Sequence, residues 1–174
     1  MEPRKKQIIT TRLILKKLEE KDQKDFMKIV NNPQVKKTYM LPDFASEKEE
    51  SEFYRKLRLL SLNQKRFVYG IYSKNNIIGF INEVSKEDDA IEIGYFIDEK
   101  ERNQGYATEA FKAAIEELFR IGFNRIIAGF FEGNYASERV MQKCGMAKIK
   151  KEETVLYRNK ERRCFYYQIE KCLS

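Results

Sequence analysis

The sequence predicts an α+β (mixed α/β) fold: a mostly antiparallel central sheet of about seven strands, flanked by helices. Three observations carry this reading. Short runs rich in β-branched and aromatic residues recur along the chain, and polar turns join several of them. Two long segments, from about Glu47 to Asn63 and over residues 108–119, place apolar residues at helical spacing. One stretch runs strand (91–97), glycine turn (102–107), helix (108–119), strand (125–131), and such a crossover makes its two strands parallel.

In chain order, the β-rich run 8–15 reads as a first strand. Asp22 is placed to cap a helix carrying Phe26, Met27, Ile29 and Val30. Pro33 and Pro42 bracket an irregular link whose Tyr39, Met40, Leu41 and Phe44 either pack over the domain or line a substrate cleft. Ser46 with Glu49 resembles a capping box and opens the next helix, with Phe53, Leu57 and Leu60 as its buried stripe. Strands at 66–72 and 77–84 form a hairpin around the turn 73–76, and 91–97 completes a meander. Gly122 ends the 108–119 helix. After the strand 125–131, a helix runs to Lys143 and is closed by Cys144 and Gly145. Runs 146–157 and 163–170 make a last hairpin, with Asn159 and Lys160 in its turn. No repeat or low-complexity tract interrupts the order, and one domain over residues 1–174 is expected.

Composition narrows the function classes. An apolar fraction of 42% suits a globular core. No apolar run reaches the roughly 20 residues that span a bilayer, so no membrane partner is expected. The basic start, residues 1–6, has no apolar run behind it, so no signal peptide is expected and a cytoplasmic location is. Three widely spaced cysteines suggest neither a disulfide framework nor a zinc site, and no metal is expected. The chain has no histidine, which excludes serine–histidine and cysteine–histidine nucleophilic mechanisms. A net charge of +7 suits an anionic ligand, a nucleic acid or a solvated surface.

The central motif is Arg102, Asn103, Gln104, Gly105, Tyr106, Ala107, followed by Thr108 at a helix start. A helix N-terminus collects free N–H groups and the positive end of the dipole, and so binds phosphate. Gly105 has no Cβ to keep an anion away from the backbone. Neither the dinucleotide fingerprint nor a Walker P-loop is present.

This order and these residues resemble the GNAT superfamily of acyl-CoA-dependent N-acetyltransferases, in particular its RimJ/RimL-like branch of ribosomal-protein N-terminal acetyltransferases. The resemblance covers nearly the whole chain. Residues 11–15, 78–81 and 92–95 look like that branch's opening and central strands, and 102–110 matches the pyrophosphate signature Q/R-x-x-G-x-G/A. Asn134, Ser137, Val140, Lys143, Gly145 and Met146 match the later Asn-x-x-Ser…Lys-x-Gly-Phe element, with Met146 where phenylalanine is usual.

The resemblance implies acetyl-CoA as acetyl donor. The turn from Arg102 through Asn103, Gln104, Gly105, Tyr106 and Ala107 to Thr108 would hold its pyrophosphate. The free main chain of Tyr95, Phe96 and Ile97 would pair with the pantetheine arm as an added strand does. That pairing needs a V-shaped splay between the strands at 91–97 and 125–131, with a bulge in the first and Gly94 as its kink. Asn134 would cap its helix and bond a pantetheine amide, and Ser137 would bind or protonate the thiolate. Lys143, with Arg139 as a second candidate, would reach the 3′-phosphate or adenine. Met141 stands where many members carry a tyrosine acid. Tyr157 is a further phenol near the cleft, and Cys144 reads as a buried small residue.

Transfer to an amine needs a base, a donor to the carbonyl oxygen and protonation of the thiolate. Glu92 and Glu83, on central strands, are the candidate bases, with Glu92 favoured and a water relay as the alternative. In period-two counting Glu92 shares a face with Gly94 and Phe96. A main-chain N–H near Phe96 is the candidate oxyanion donor. The acceptors considered are a protein N-terminus, a polyamine, an aminoglycoside or an amino-acid-like metabolite. Two other classes stay open. Residues 148–163 carry seven basic and three acidic residues with Tyr157 among them, a composition that can bind RNA. A GNAT homologue that binds CoA without catalysis is the other. A homodimer is compatible with the sequence.

Overall fold

The computed structural model describes residues 2–172. Its strands are β1 (Gln7–Ile9), β2 (Ile14–Lys16), β3 (Val68–Ser73), β4 (Asn76–Lys86), β5 (Ala90–Ile97), β6 (Arg125–Phe131), β7 (Ala147–Tyr157) and β8 (Lys160–Glu170). They form one eight-stranded sheet in the order β1-β2-β3-β4-β5-β6-β8-β7. Every neighbouring pair is antiparallel except β5–β6, which is parallel.

The expected single first strand is two. The Thr10 N–H and Oγ1 both donate to the Leu13 carbonyl, at 2.9 and 3.2 Å, and Oγ1 accepts the Leu13 N–H at 2.9 Å. A threonine side chain that competes for backbone groups folds the run back on itself, so β1 pairs with β2. This split accounts for eight strands instead of seven.

The helices are α1 (Gln23–Asn31), α2 (Pro33–Lys36), α3 (Glu47–Leu62), α4 (Tyr106–Ile121) and α5 (Tyr135–Lys143). Asp22 precedes α1 but does not cap it. Its carboxylate accepts the Glu19 N–H of a preceding 3-10 turn and the Tyr72 hydroxyl instead. The link after Pro33 is not wholly irregular: Pro33 at the first helical position and the Asn32 side chain, which accepts the Gln34 N–H at 2.8 Å, start α2. Ser46 caps α3 as expected, but Glu49 reaches back to the Ala45 N–H and not to that of Ser46. The fully buried residues of α3 are Tyr54 and Ser61, with Phe53, Leu57 and Leu60 only half-buried against the core.

Two apolar layers cover the sheet. On one face α4 and α5 pack on Ile81, Ile91, Ile93, Ile97, Ile126 and Ala128. On the other, α1 and α3 pack on Val68, Tyr72, Phe80 and Phe96. Alternation along β5 therefore sends Ile91, Ile93, Tyr95 and Ile97 towards α4, and Glu92, Gly94 and Phe96 to the opposite face. A smaller cluster of Phe131, Tyr157, Cys164 and Tyr166 sits under the β7–β8 hairpin. The tip of that hairpin is a two-residue turn in which Arg158 and Asn159 take left-handed φ values of 54° and 58°, so Lys160 belongs to β8 and not to the turn.

Candidate active site

The parallel ladder between β5 and β6 holds only Ala90–Arg125, Ile91–Ile126 and Glu92–Ile127. Beyond Glu92, β6 continues against β8 as far as Phe131, and β5 continues against β4 as far as Ile97. The two strands therefore part in a V with Glu92 at its apex. The expected bulge is not in β5. The register shift lies in β4, between Glu83 and Ser85, opposite Ile93 and Glu92. An extra residue in β4 bends the sheet at this point and leaves β5 itself regular. Gly94 does other work: a Cβ there would come within 2.9 Å of the Tyr39 ring, so glycine lets that ring lie against the strand.

The wide end of the V opens on a cleft of about 390 Å³. Tyr95, Phe96, Ile97, Arg102, Asn103, Gly105, Tyr106, Ala107 and Thr108 line it from one side, and Asn134, Ser137, Arg139 and Lys143 from α5. Gly105 is the residue before α4 and has φ +80°, which favours glycine. The first intrahelical bond runs from the Glu109 N–H to the Gly105 carbonyl. The N–H groups of Tyr106, Ala107 and Thr108 have no acceptor among the described residues. They form an anion cradle at the positive end of the helix.

A carboxylate in that first turn would repel an anion, and Arg12 neutralises it. Its guanidinium bonds Glu109 at 2.7 Å, donates to the Gln104 carbonyl at 2.8 Å and lies over the Tyr106 ring at 4.6 Å. Burial pushes the Glu109 carboxyl up, but the Thr10 hydroxyl and Arg12 outweigh it and hold it below its ordinary range. Gln104 is not a lining residue; its side chain turns to Glu101 at 3.0 Å. Arg102 lines the cleft with one nitrogen already engaged, donating to the Gln34 carbonyl at 3.2 Å.

Asn134 caps α5, accepting the Ser137 N–H at 3.3 Å and donating through Nδ2 to Ser137 Oγ at 3.0 Å. The Tyr95 hydroxyl donates to the same oxygen at 3.4 Å. Met141, one turn on, is buried in the core. Cys144 is buried too. Burial pushes its thiol up to about 11, which leaves it no thiolate to react with.

The candidate bases separate. Glu83 is buried against Arg66 at 2.5 Å and accepts the Phe67 N–H at 2.6 Å, so its carboxylate holds a strand end together. Glu92 lies on the face away from α5, and the structure does not bring it together with Ser137. Burial raises its carboxyl above the ordinary range. Lys151, 3.9 Å away, opposes that rise, Glu153 adds to it, and the Ser85 hydroxyl at 3.5 Å opposes it.

On this second face Tyr39 packs edge-on to Phe96 and donates to Asn82 at 2.7 Å. Tyr157 is not among the residues that line the cleft. Its hydroxyl accepts the Leu41 N–H at 3.2 Å, and it is 3.1 Å from the Leu41 carbonyl, to which it donates. Three of the seven basic residues of the last hairpin are ion-paired: Arg158 with Asp43, Arg163 with Glu132 and Glu152, Lys151 with Glu92 and Glu153.

A family model described as an acetyltransferase (GNAT) domain matches residues 12–147. The chain belongs to the GNAT acetyltransferase family. YnaD, an uncharacterized N-acetyltransferase of Bacillus subtilis strain 168, is 30% identical over 141 residues, 80% of this chain and 81% of its own. A GNAT-family acetyltransferase from Bacillus anthracis superposes with a TM-score of 0.80 at 26% identity, over 94% of this chain and 98% of that one. RimL, a ribosomal L7/L12 alpha-N-protein acetyltransferase, shares the fold at 19% identity. Its apo form has a TM-score of 0.83 over 95% and 94% of the two chains, and its complex with coenzyme A 0.79 over 94% and 97%. This GNAT protein is an acetyl-CoA-dependent acetyltransferase. Among the described residues no group of His, Cys, Asp and Glu is placed to hold a metal ion, and no helix is long and apolar enough to cross a membrane.

Sequence reasoning missed three contributors to this GNAT site. Arg12 belongs to the run expected as a strand, and no local signal ties it to Glu109, 97 residues on. The Tyr95 side chain was overlooked beside its own main chain. Glu153, which accepts the Tyr166 hydroxyl at 2.7 Å near Glu92, lies in the hairpin whose charges suggested a nucleic-acid surface and not a neighbour of the base.

Proposed function

We propose that this GNAT enzyme transfers the acetyl group of acetyl-CoA directly to a primary amine, either a protein N-terminus or a small-molecule amine. One observation carries the reading: the main-chain edge of β5 left open beyond Glu92, beside the unsatisfied N–H groups at the start of α4.

On this reading the N–H groups of Tyr106, Ala107 and Thr108, freed by Gly105, bind the pyrophosphate. Asn103 and Gln104 shape the turn by main-chain conformation, Asn103 with φ 62°. Arg102 joins the turn to α2, while Lys143 and Arg139 face the 3′-phosphate end. Tyr95 and Ile97, on either side of Phe96, whose main chain pairs with β4, offer a strand edge to the pantetheine amides, and Asn134 faces the same arm. This sets the thioester across the V, between the two faces of the sheet.

Glu92, on the acceptor face at the apex, takes a proton from the incoming ammonium. The amine nitrogen bonds to the carbonyl carbon, and a main-chain N–H near Phe96 stabilises the oxygen as charge builds on it. The C–S bond then breaks, Ser137 gives its proton to the departing thiolate, and the proton shed by the new amide nitrogen restores the serine hydroxyl. The RimL name adds weight to a protein N-terminus as acceptor. Tyr39, Phe96 and the loop held by Tyr157 are the groups that would meet it.

A thermal-shift titration with acetyl-CoA, followed by an amine panel read out by released thiol, tests this. Stabilisation by acetyl-CoA but not by adenosine, with thiol release that depends on an amine, is the expected result. Binding with no release across N-terminal peptides, polyamines and aminoglycosides would overturn it.

A further inference from the structure

We infer that Tyr95 is a positioning residue for Ser137: its hydroxyl fixes the serine hydroxyl as a hydrogen-bond donor into the cleft. The inference rests on the proposed transfer reaction, in which Ser137 faces the thioester sulfur. A serine hydroxyl has one proton and two acceptor positions. The Asn134 amide is oriented by its own helix: Oδ1 accepts the Ser137 N–H at 3.3 Å, which turns Nδ2 towards Ser137 Oγ at 3.0 Å. The first acceptor position is thereby filled. The Tyr95 O–H donates at 3.4 Å and fills the second. With both positions taken, the only free part of the serine hydroxyl is its proton, and the open side is the cleft that Tyr95, Asn134 and Ser137 line together.

The phenol is well held for this task. Its ring meets Phe111 edge-on with centroids 5.2 Å apart and packs on the core between β5 and α4. Ser137 is the only hydrogen-bond partner of its hydroxyl among the described residues. Burial pushes the phenol up to about 12, so it remains a donor at any working pH. Met141, buried on the next turn of α5, offers no proton in its place. A serine polarised in this way donates to a sulfur that gains charge and cannot accept from it. Charge on the leaving sulfur is the stage at which the contact strengthens, so its loss falls on kcat and not on donor binding.

Tyr95→Phe keeps the ring and removes only the hydroxyl. The expected result is a roughly 5- to 50-fold fall in kcat, with KM for acetyl-CoA and the melting temperature unchanged. In the Ser137→Ala background Tyr95→Phe should cost nothing more, because it acts through that serine. A readout independent of turnover is the pH titration of the bound CoA thiol by thiolate absorbance. The wild type should lower the thiol pKa relative to free CoA, and Tyr95→Phe and Ser137→Ala should each abolish most of that lowering. An unchanged titration in Tyr95→Phe, or a further loss of rate in the Ser137→Ala background, would overturn the inference and leave the acetyltransferase reading standing. A wild type that binds CoA with a lowered thiol pKa but acetylates no amine would instead break the reaction reading and keep the hydrogen-bond assignment.

Discussion

The two halves of the proposed site are built in different ways. The cofactor half uses main chain that the fold leaves unpaired: the β5 edge beyond Glu92 and the N–H groups of Tyr106 to Thr108. The acceptor half uses side chains pinned from far along the chain, with Tyr39 on Asn82, Tyr157 on Leu41, and Asp43 gripped by both Lys36 and Arg158. Main-chain groups bind any ligand of the right geometry, whichever side chains surround them. Side-chain contacts can be exchanged one by one. On the proposed reading the comparison teaches that the donor is set by the fold, whereas the acceptor is set by a few replaceable residues. Arg102 is the visible joint between the halves, a turn residue whose guanidinium bonds the Gln34 carbonyl of α2.

If the halves are separate, substitutions in one should spare the other. The largest effect is expected for Glu92→Gln, with kcat down roughly 100- to 10,000-fold and acetyl-CoA affinity unchanged by calorimetry. As the proposed base Glu92 works only when ionised, and burial raises its carboxyl, so the wild-type rate should rise with pH through that raised pKa and the variant should lose this limb. The linkage has the opposite sign for stability. Between the ordinary and the raised pKa the native state binds more protons than the unfolded chain, so stability falls as pH rises through that window. Glu92→Gln should therefore melt no lower than the wild type at neutral pH.

Next comes Gly105→Glu, which puts a side chain where φ is +80° and a carboxylate where the phosphates would lie. Acetyl-CoA affinity should fall by roughly 100-fold. Arg12→Ala leaves the Glu109 charge facing the anion site and frees the Gln104 carbonyl, and should weaken acetyl-CoA binding by roughly 10-fold. The smallest effect is Tyr157→Phe. It removes a hydrogen bond of about 1 kcal/mol from the Leu41 loop, so the acceptor KM should rise several-fold with acetyl-CoA binding untouched.

The same division explains what could be read from the sequence. The cofactor half was legible because main-chain sites leave local marks. Gly105 at the start of α4, the Asn134 cap with Ser137 one turn on, and the strand before the turn all fall within short windows. The meander β3–β4–β5 and the crossover to β6 were legible for the same reason, from turns and periodicity. The acceptor half was not, because its contacts join distant segments: Tyr157 to Leu41 across 116 residues, Tyr39 to Asn82 across 43. The bulge was expected in β5 because Gly94 suggested a kink. It lies in β4, where Val84 gives no such sign. The split of the first strand at Thr10 turned on one side chain competing with the ladder, which a β-rich composition hides. Glu92 and Glu83 looked alike in sequence; only the Arg66 and Phe67 partners of Glu83 tell them apart.

The most direct test is amide hydrogen exchange read by residue, with and without acetyl-CoA. The account predicts new protection at Tyr106, Ala107, Thr108 and, on the open β5 edge, Tyr95 and Ile97, with none in the loop around Leu41 or at Tyr157. Protection centred on that loop, with the N–H groups of Tyr106 to Thr108 still exchanging freely, would contradict it.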